Sequence, residues 1–198
     1  DWMIALLELL DRLPAASAAI ARPDGWTLAA AMIGAALLVA PPGVPLRAAG
    51  VPCLLPLLLA PQRLPGADSL WITALDMGQG SSILVETAQT RLLYDAGPAR
   101  GDDRSAAGRF LVPYLRSRGI ERIDALVVSH LDAEHAGGAA AVAALLRPKL
   151  LLTSFDPRLL SLPESSRRGM ATERCEAGRR LAVGDLQLDL LHPPQTAR

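Results

Sequence analysis

The sequence predicts a two-part chain: a helical membrane region followed by a layered α/β domain. Three observations predict it. The stretch from Trp26 to Gln62 carries a single charge, Arg47, whereas beyond Ala67 charges return at ordinary density. In the second part, strands are grouped early with helices interleaved, the pattern of layered α/β domains. One apolar segment, Asp124 to Val128, empties into a loop holding two of the chain's three histidines. The composition break puts a membrane region over 1–66 and an α/β domain over 67–198.

The length of 198 residues suits one or two domains. Lys+Arg equals Asp+Glu, which excludes a global basic field, so any nucleic-acid contact is local. No secretory pattern of basic start, short apolar core and small-residue cleavage site is visible. Cys53 lies in the apolar half and Cys175 in the polar half, so they are poor partners for a disulfide. The chain opens at Asp1 inside an apolar periodic segment, and the expectation is that its true N-terminus lies upstream.

Trp2 to Leu13 has the spacing of an amphipathic helix. Asp1, Glu8, Asp11 and Arg12 fall on one side, and Trp2, Ile4, Leu6, Leu9, Leu10 and Leu13 cover most of the rest. Pro14 ends or kinks it. Trp26 to Ala40 is continuously apolar, and a second run from Ala48 to Ala60 is broken by Pro52 and Pro56. Each is shorter than the roughly 20 residues of a full span. Two such runs almost back to back favour a short transmembrane hairpin over a buried soluble pair. Neighbouring helices would then re-satisfy the backbone at the prolines. Arg22, Arg47 and Arg63 are too evenly placed to fix orientation. Pro61, Pro65 and Gly66 form a linker.

From Ser69 the pattern changes. Trp71 to Leu75 predicts a strand, and Asp76-Met77-Gly78-Gln79-Gly80 a turn. Ser82 to Val85 and Leu92 to Tyr94 predict two more strands, the latter ending in Asp95-Ala96-Gly97. Arg104 to Arg118 has helical spacing with Phe110, Leu111, Tyr114 and Leu115 on one face, and Gly119 is a natural C-cap. Asp124 to Val128 is a strand of the fully buried type. Ala139 to Leu146 is helical, Leu150 to Leu152 a strand, and Leu186 to Leu191 alternates as a half-buried strand does.

The loop after Val128 carries the chemistry. His130, Asp132, Glu134 and His135 sit within six residues at the C-terminal end of a buried strand, where open α/β sheets place their sites. Imidazoles supply neutral nitrogen and carboxylates hard oxygen. The oxygen-rich set leans towards Mn²⁺ or Mg²⁺ beside Zn²⁺. The alternative is a helix N-terminus decorated with acids, which the helix dipole favours. Capping accounts for Asp132 and Glu134 but not for the two flanking histidines.

Five other features need weighing. Asp76 either supports the site floor or ends a strand in a turn. Asp95 should end its strand beside the histidine loop. His192 is more often structural at such a position than a distal ligand. Asp102, Asp103 and Arg104 form a solvated polar loop. Arg167, Arg168, Arg174, Arg179 and Arg180 either touch phosphates or form a solvated surface.

His130-x-Asp132-x-Glu134-His135 with Gly137-Gly138 resembles the H-x-D-x-D-H-x-G-G signature of ComEC-type metallo-β-lactamase domains. Asp76 to Gly80 resembles that family's D-V-G-Q-G turn, and Leu92 to Gly97 its strand ending in an aspartate. Leu111-Val112-Pro113-Tyr114-Leu115 resembles the helix that follows. Arg174 to Gly178 and Leu191-His192-Pro193 resemble a later strand pair. The order and spacing agree from about Trp71 onward. Two departures stand out: Glu134 replaces the family's usual Asp, and the family's later Gly-Asp motif is expected beyond Arg198.

The resemblance implies a partial metallo-β-lactamase fold, an αββα sandwich, preceded by transmembrane helices and truncated at its C-terminus. It implies a part in carrying single-stranded DNA across the bacterial inner (plasma) membrane in natural transformation. The protein would be multi-pass, with other DNA-uptake proteins as partners and oligomeric state open. It implies a metal-dependent phosphodiesterase or nuclease holding divalent ions, Mn²⁺ or Zn²⁺ with Mg²⁺ as a third candidate. His130 and Asp132 would bind one ion, Glu134 and His135 the other, and Asp95 would complete or orient the shell. Asp132 and Glu134 are the candidate catalytic residues. A non-catalytic domain that gates or positions DNA is the alternative. A membrane-anchored hydrolase of a small molecule ranks third.

Overall fold

The computed structural model describes residues 2–11, 21–41, 43–59, 63–99 and 106–194. Expectations on Leu13, Pro14 and Pro61 and on the loop Asp102 to Arg104 fall outside the described residues. The chain divides into two compact units, Asp1–Gln62 with Arg116–Gly119, and Arg63–Leu115 with Ile120–Arg198.

The first unit contains α1 (Trp2–Asp11), α2 (Gly25–Val39) and α3 (Gly50–Leu58). Asp24 starts α2 by accepting a hydrogen bond from the Thr27 N–H at 2.8 Å, as an N-cap side chain does. Pro52 sits in the first turn of α3, where no helical N–H is needed. Pro56 lies inside the helix. Arg47 Nε donates to the Leu38 carbonyl at 2.9 Å, satisfying one orphan acceptor at the end of α2. The two helices approach closely at small residues: a Cβ on Gly34 would fall 2.8 Å from the Cys53 Cβ. Outward-facing side chains are large and apolar, with Trp26 85% and Met32 66% exposed.

α2 and α3, where the sequence predicts a transmembrane pair, form a helical hairpin with short arms. α2 has 15 residues, about 22 Å at 1.5 Å per residue. Among the described residues, no helix is long and apolar enough to cross a membrane.

The second unit is built on a six-stranded mixed sheet in sequential order. Its strands are β1 (Trp71–Ala74), β2 (Ile83–Glu86), β3 (Arg91–Tyr94), β4 (Ala125–Val128), β5 (Leu150–Thr153) and β6 (Ala171–Arg174). The first three are antiparallel neighbours. β3 to β6 run parallel and need helical crossovers. These are α4 (Val112–Ser117) after a π-helical turn over Ala107–Leu111, α5 (Ala133–Ala136) with α6 (Ala139–Leu146), and α7 (Glu164–Arg167). A two-stranded hairpin, β7 (Arg180–Val183) and β8 (Leu186–Asp189), completes the unit.

Alternation along the strands sorts two cores. Leu93, Leu126, Val128 and Leu151 pack with Leu111, Leu115, Val142 and Leu146 from the helices. Leu92, Ala125, Val127 and Leu152 pack with Cys175 and Val183, flanked by the hairpin's Leu181, Leu186 and Leu188. β4 is thus buried on both faces, as its unbroken apolar sequence requires.

One helical expectation is corrected. Leu111 and Leu115 are buried, but Phe110 is 61% exposed. The π turn adds a residue per turn and rotates Phe110 off the stripe that regular spacing predicts. The two cysteines are free, as expected.

Candidate metal centre

The parallel pairing of β3 and β4 brings two strand ends side by side. Asp95 follows β3, and its N–H donates to the Val127 carbonyl at 2.8 Å. Ser129 follows β4 and donates its backbone N–H to Asp95 Oδ1 at 2.8 Å. Asp95 is 1% exposed and adopts φ 59°, a left-handed conformation that acidic side chains tolerate better than most.

Asp95 Oδ2 is a hub. It accepts from Ser129 Oγ at 2.8 Å, from Ser81 Oγ at 3.2 Å and from His135 Nδ1 at 2.8 Å. An ionised carboxylate only accepts, so His135 carries its proton on Nδ1 and keeps a lone pair on Nε2. Ser129 Oγ, having given its one hydrogen to Asp95, accepts from His130 Nδ1 at 2.8 Å. His130 therefore keeps its lone pair on Nε2 as well. One buried carboxylate sets the tautomer of both imidazoles, directly for His135 and through Ser129 for His130. A carboxylate or hydroxyl behind each imidazole is the arrangement that orients metal-binding histidines.

The two rings lie 3.9 Å apart between centroids. His130 Nε2 is 3.4 Å from Asp132 Oδ2. Both atoms present lone pairs, an approach that a shared cation would make favourable. Two ligands of a tetrahedral ion sit about 3.4 Å from each other when each bond is near 2.1 Å. Asp132 is the N-cap of α5, yet its side chain makes no capping hydrogen bond, so capping does not account for it. Glu134 is exposed in the first turn of α5, outside the hydrogen-bonded array. Among the described residues, no three His, Cys, Asp or Glu side chains converge tightly enough to hold an ion as they stand. The donors meet in pairs, and Asp132 is 77% exposed at its side chain. The donor set, two oriented imidazoles with an exposed carboxylate beside them, fits a divalent cation.

Backbone contacts fix the loop. The Ala96 N–H donates to the His135 carbonyl at 2.9 Å and the Gly138 N–H to the Gly97 carbonyl at 3.0 Å. A Cβ on Gly138 would collide with the Ala96 carbonyl and the Ala107 Cβ, so the Gly137-Gly138 pair is what lets α5 and α6 close on Asp95-Ala96-Gly97. Ser154 Oγ donates to the Ser129 carbonyl. Tyr94 ends β3 beside this array. Burial, then the charge of Asp95, holds its phenol above the ordinary value, opposed by a hydrogen bond with Ser129.

Sequence reasoning missed Ser81 and Ser129. Their signals were position alone, one directly after the Asp76–Gly80 turn and one directly before His130. Asp76 accepts from the Gly78 N–H at 3.0 Å and so closes the turn. His192 is exposed beyond β8. In the basic stretch, Arg179 pairs with Glu173 at 2.9 Å, Arg180 with Asp189 at 2.6 Å, and Arg167 donates to the Leu160 carbonyl at 2.9 Å. Three of its five guanidinium groups are thus tied within the fold.

A family model described as the metallo-beta-lactamase superfamily matches residues 75–188. "Competence protein ComA" of Neisseria gonorrhoeae is 40% identical over 121 residues, covering 58% of this chain and 16% of that protein. "ComE operon protein 3" of Bacillus subtilis (strain 168) is 30% identical over 142 residues, covering 62% of this chain and 18% of that protein. The chain thus spans about a sixth of the length of these curated relatives. A crystal structure of metallo-beta-lactamase SMB-1 bound to 2-mercaptoethanesulfonate aligns at a TM-score of 0.45 and 16% identity, covering 64% of this chain and 53% of that one. The resemblance to ComEC-type competence proteins read from the sequence is borne out by these relatives.

Proposed function

The chain belongs to the metallo-beta-lactamase superfamily, and on that premise we propose that it forms part of a bacterial DNA-uptake protein, with a metal-dependent phosphodiesterase centre acting on incoming DNA. The observation that carries this reading is the Asp95 hub, which presents His130 and His135 with both Nε2 lone pairs free. His130, Asp132, Glu134 and His135 would hold divalent ions, Mn²⁺ or Zn²⁺ with Mg²⁺ as a third candidate, and Asp95 would orient the imidazoles. Such ions supply an activated water and charge stabilisation at a phosphate. Asp132, exposed beside His130, would accept a proton from a nucleophile, with Glu134, exposed in the first turn of α5, as the second candidate carboxylate.

Competence relatives support the role in natural transformation. We assign 1–66 to the end of a multi-pass region in the inner membrane and 67–198 to the hydrolase-like domain. The close approach of α2 and α3 at Gly34 and Gly50 supports the first part, since small residues at helix contacts are the pattern of membrane packing. Single-stranded DNA and other uptake proteins are the proposed partners. A second reading, a domain that gates or positions DNA without cutting it, is favoured by the exposed place of Glu134 outside the array.

The test is cleavage of labelled single- and double-stranded DNA with Mn²⁺, Zn²⁺ or Mg²⁺ by the full chain. Cleavage lost in His130→Ala supports the phosphodiesterase. No cleavage with any of the three ions, under conditions where the protein binds DNA, supports the gating role.

A further inference from the structure

The Asp76–Ser81 turn serves two places. Ser81 Oγ reaches Asp95 and His135, while Met77 and Gln79 line a cavity of about 300 Å³ with Pro98, Ala106, Arg109 and Phe110. Pro98 continues the segment that carries Asp95, and a Cβ on Gly80 would touch both Pro98 and the Glu134 carbonyl. Cavity and centre therefore share their walls.

The lining has a definite chemistry. Met77, Pro98 and Ala106 are apolar, Gln79 brings an amide, and among the described residues no carboxylate lines it. Phe110 stands 61% exposed, with the Arg109 guanidinium 5.6 Å from its ring centroid. Both side chains come from the π-helical turn, a distortion that turns up frequently at functional sites. The size is the lower end of small-molecule sites, enough for one nucleotide. An exposed aromatic ring with a cation over it is a pairing that suits a single strand: base on ring, phosphate on guanidinium.

We propose that this cavity is a nucleotide subsite of the centre, taking one base of a single strand against Phe110 and its phosphate against Arg109. The proposal rests on the phosphodiesterase reading only for the identity of the strand as substrate. By holding the strand through a ring rather than through hydrogen bonds to base edges, the subsite accepts any sequence.

The test is fluorescence anisotropy of a labelled oligothymidylate of about 12 nucleotides with the full chain, in excess chelator so that no ion contributes. Phe110→Ala weakens binding by about fivefold or more, and Phe110→Tyr, which keeps a ring, restores it. Arg109→Gln lowers the slope of log affinity against log salt by about 0.7. Unchanged thermal melting of each variant shows that the fold is intact. Wild-type affinity and salt slope in both Phe110→Ala and Arg109→Gln overturn the proposal. So does an apolar dye that Phe110→Ala releases but the oligonucleotide fails to displace, which makes the cavity an apolar docking groove. Mn²⁺-dependent cleavage with Phe110-independent strand binding removes the subsite and leaves the enzyme reading. Phe110-dependent binding without cleavage under any divalent ion removes the enzyme reading and leaves the subsite.

Discussion

The Asp95 carboxylate and His135 Nδ1 meet at 2.8 Å across 40 residues of sequence, the acid buried and the imidazole one-quarter exposed. Replacing Asp95 by Asn keeps the shape but cannot accept three hydrogens at one oxygen. Affinity for Zn²⁺ or Mn²⁺ is expected to fall about 10- to 100-fold, with about 1–3 kcal/mol lost in a urea melt. Equilibrium dialysis reads the first, and an unchanged dissociation constant would remove Asp95 from the centre.

Ser129 links that acid to His130 through one hydroxyl. Ser129→Ala should release the His130 tautomer, seen as a mixed Nδ1–H and Nε2–H population in ¹⁵N NMR, whereas Ser129→Thr should retain a single form. Because Ser129 and Asp95 share a network, the metal-affinity losses of Ser129→Ala and Asp95→Asn should fall short of their sum when combined. Strict additivity would show that the two act independently.

Gly138→Ala places a methyl against the Ala96 carbonyl and the Ala107 Cβ. Neither neighbour is a flexible side-chain end, so the cost is about 1–3 kcal/mol or more. A urea midpoint equal to that of the wild type would mean the loop and α6 relax freely.

Asp185 Oδ1 accepts from Thr87 Oγ1 at 2.6 Å and Thr90 Oγ1 at 2.5 Å, tying the β2–β3 turn to the β7–β8 turn. The Thr87 bond, then the Thr90 bond, holds the carboxyl below its ordinary value. A depressed folded pKa stabilises above the unfolded value, about 3.9, and that contribution is lost as pH falls through the folded value. The melting temperatures of wild type and Asp185→Asn should differ at neutral pH and converge on acidification below about pH 4. Parallel curves over that window would contradict the assignment.

Cys175 is buried between the sheet and the hairpin, and burial pushes its thiol up, against a smaller pull down from Arg179. A raised thiol is neutral and slow. In native protein near pH 8, a disulfide reagent should label it at least about tenfold more slowly than in urea. Equal rates would place Cys175 on a surface that opens freely.

Most of the sheet was legible because apolar periodicity reports burial. Asp124 to Val128 was marked by an unbroken apolar run, and Leu92 to Tyr94 by its ending in Asp95. β6 was not legible: Ala171–Arg174 is an edge strand whose Thr, Glu and Arg carry no alternation, and it exists through pairing with β5 alone. β7 was hidden likewise, since Arg180–Val183 declares itself only by folding back on β8. Phe110 looked buried because spacing assumes 3.6 residues per turn, and a π turn has no signature in composition. The histidine loop was visible as a cluster of ligand types. Its supporting hydroxyls were not, because Ser81 and Ser129 are ordinary turn residues until β3 and β4 lie side by side.

That adjacency has a kinetic consequence. β3 and β4 are parallel, so neither can find the other through a tight turn; some thirty residues must loop round first. Joining them is a non-local step in assembly, and an intrinsically slow one. Until it occurs the imidazoles lack the acid that orients them, and a nascent chain that has not yet delivered Ser129 carries an acid without its imidazoles. Were the centre to hold an ion, the gain in affinity as His135 finds Asp95 would report completion of the crossover, and so time the folding of the sheet rather than the arrival of any single strand.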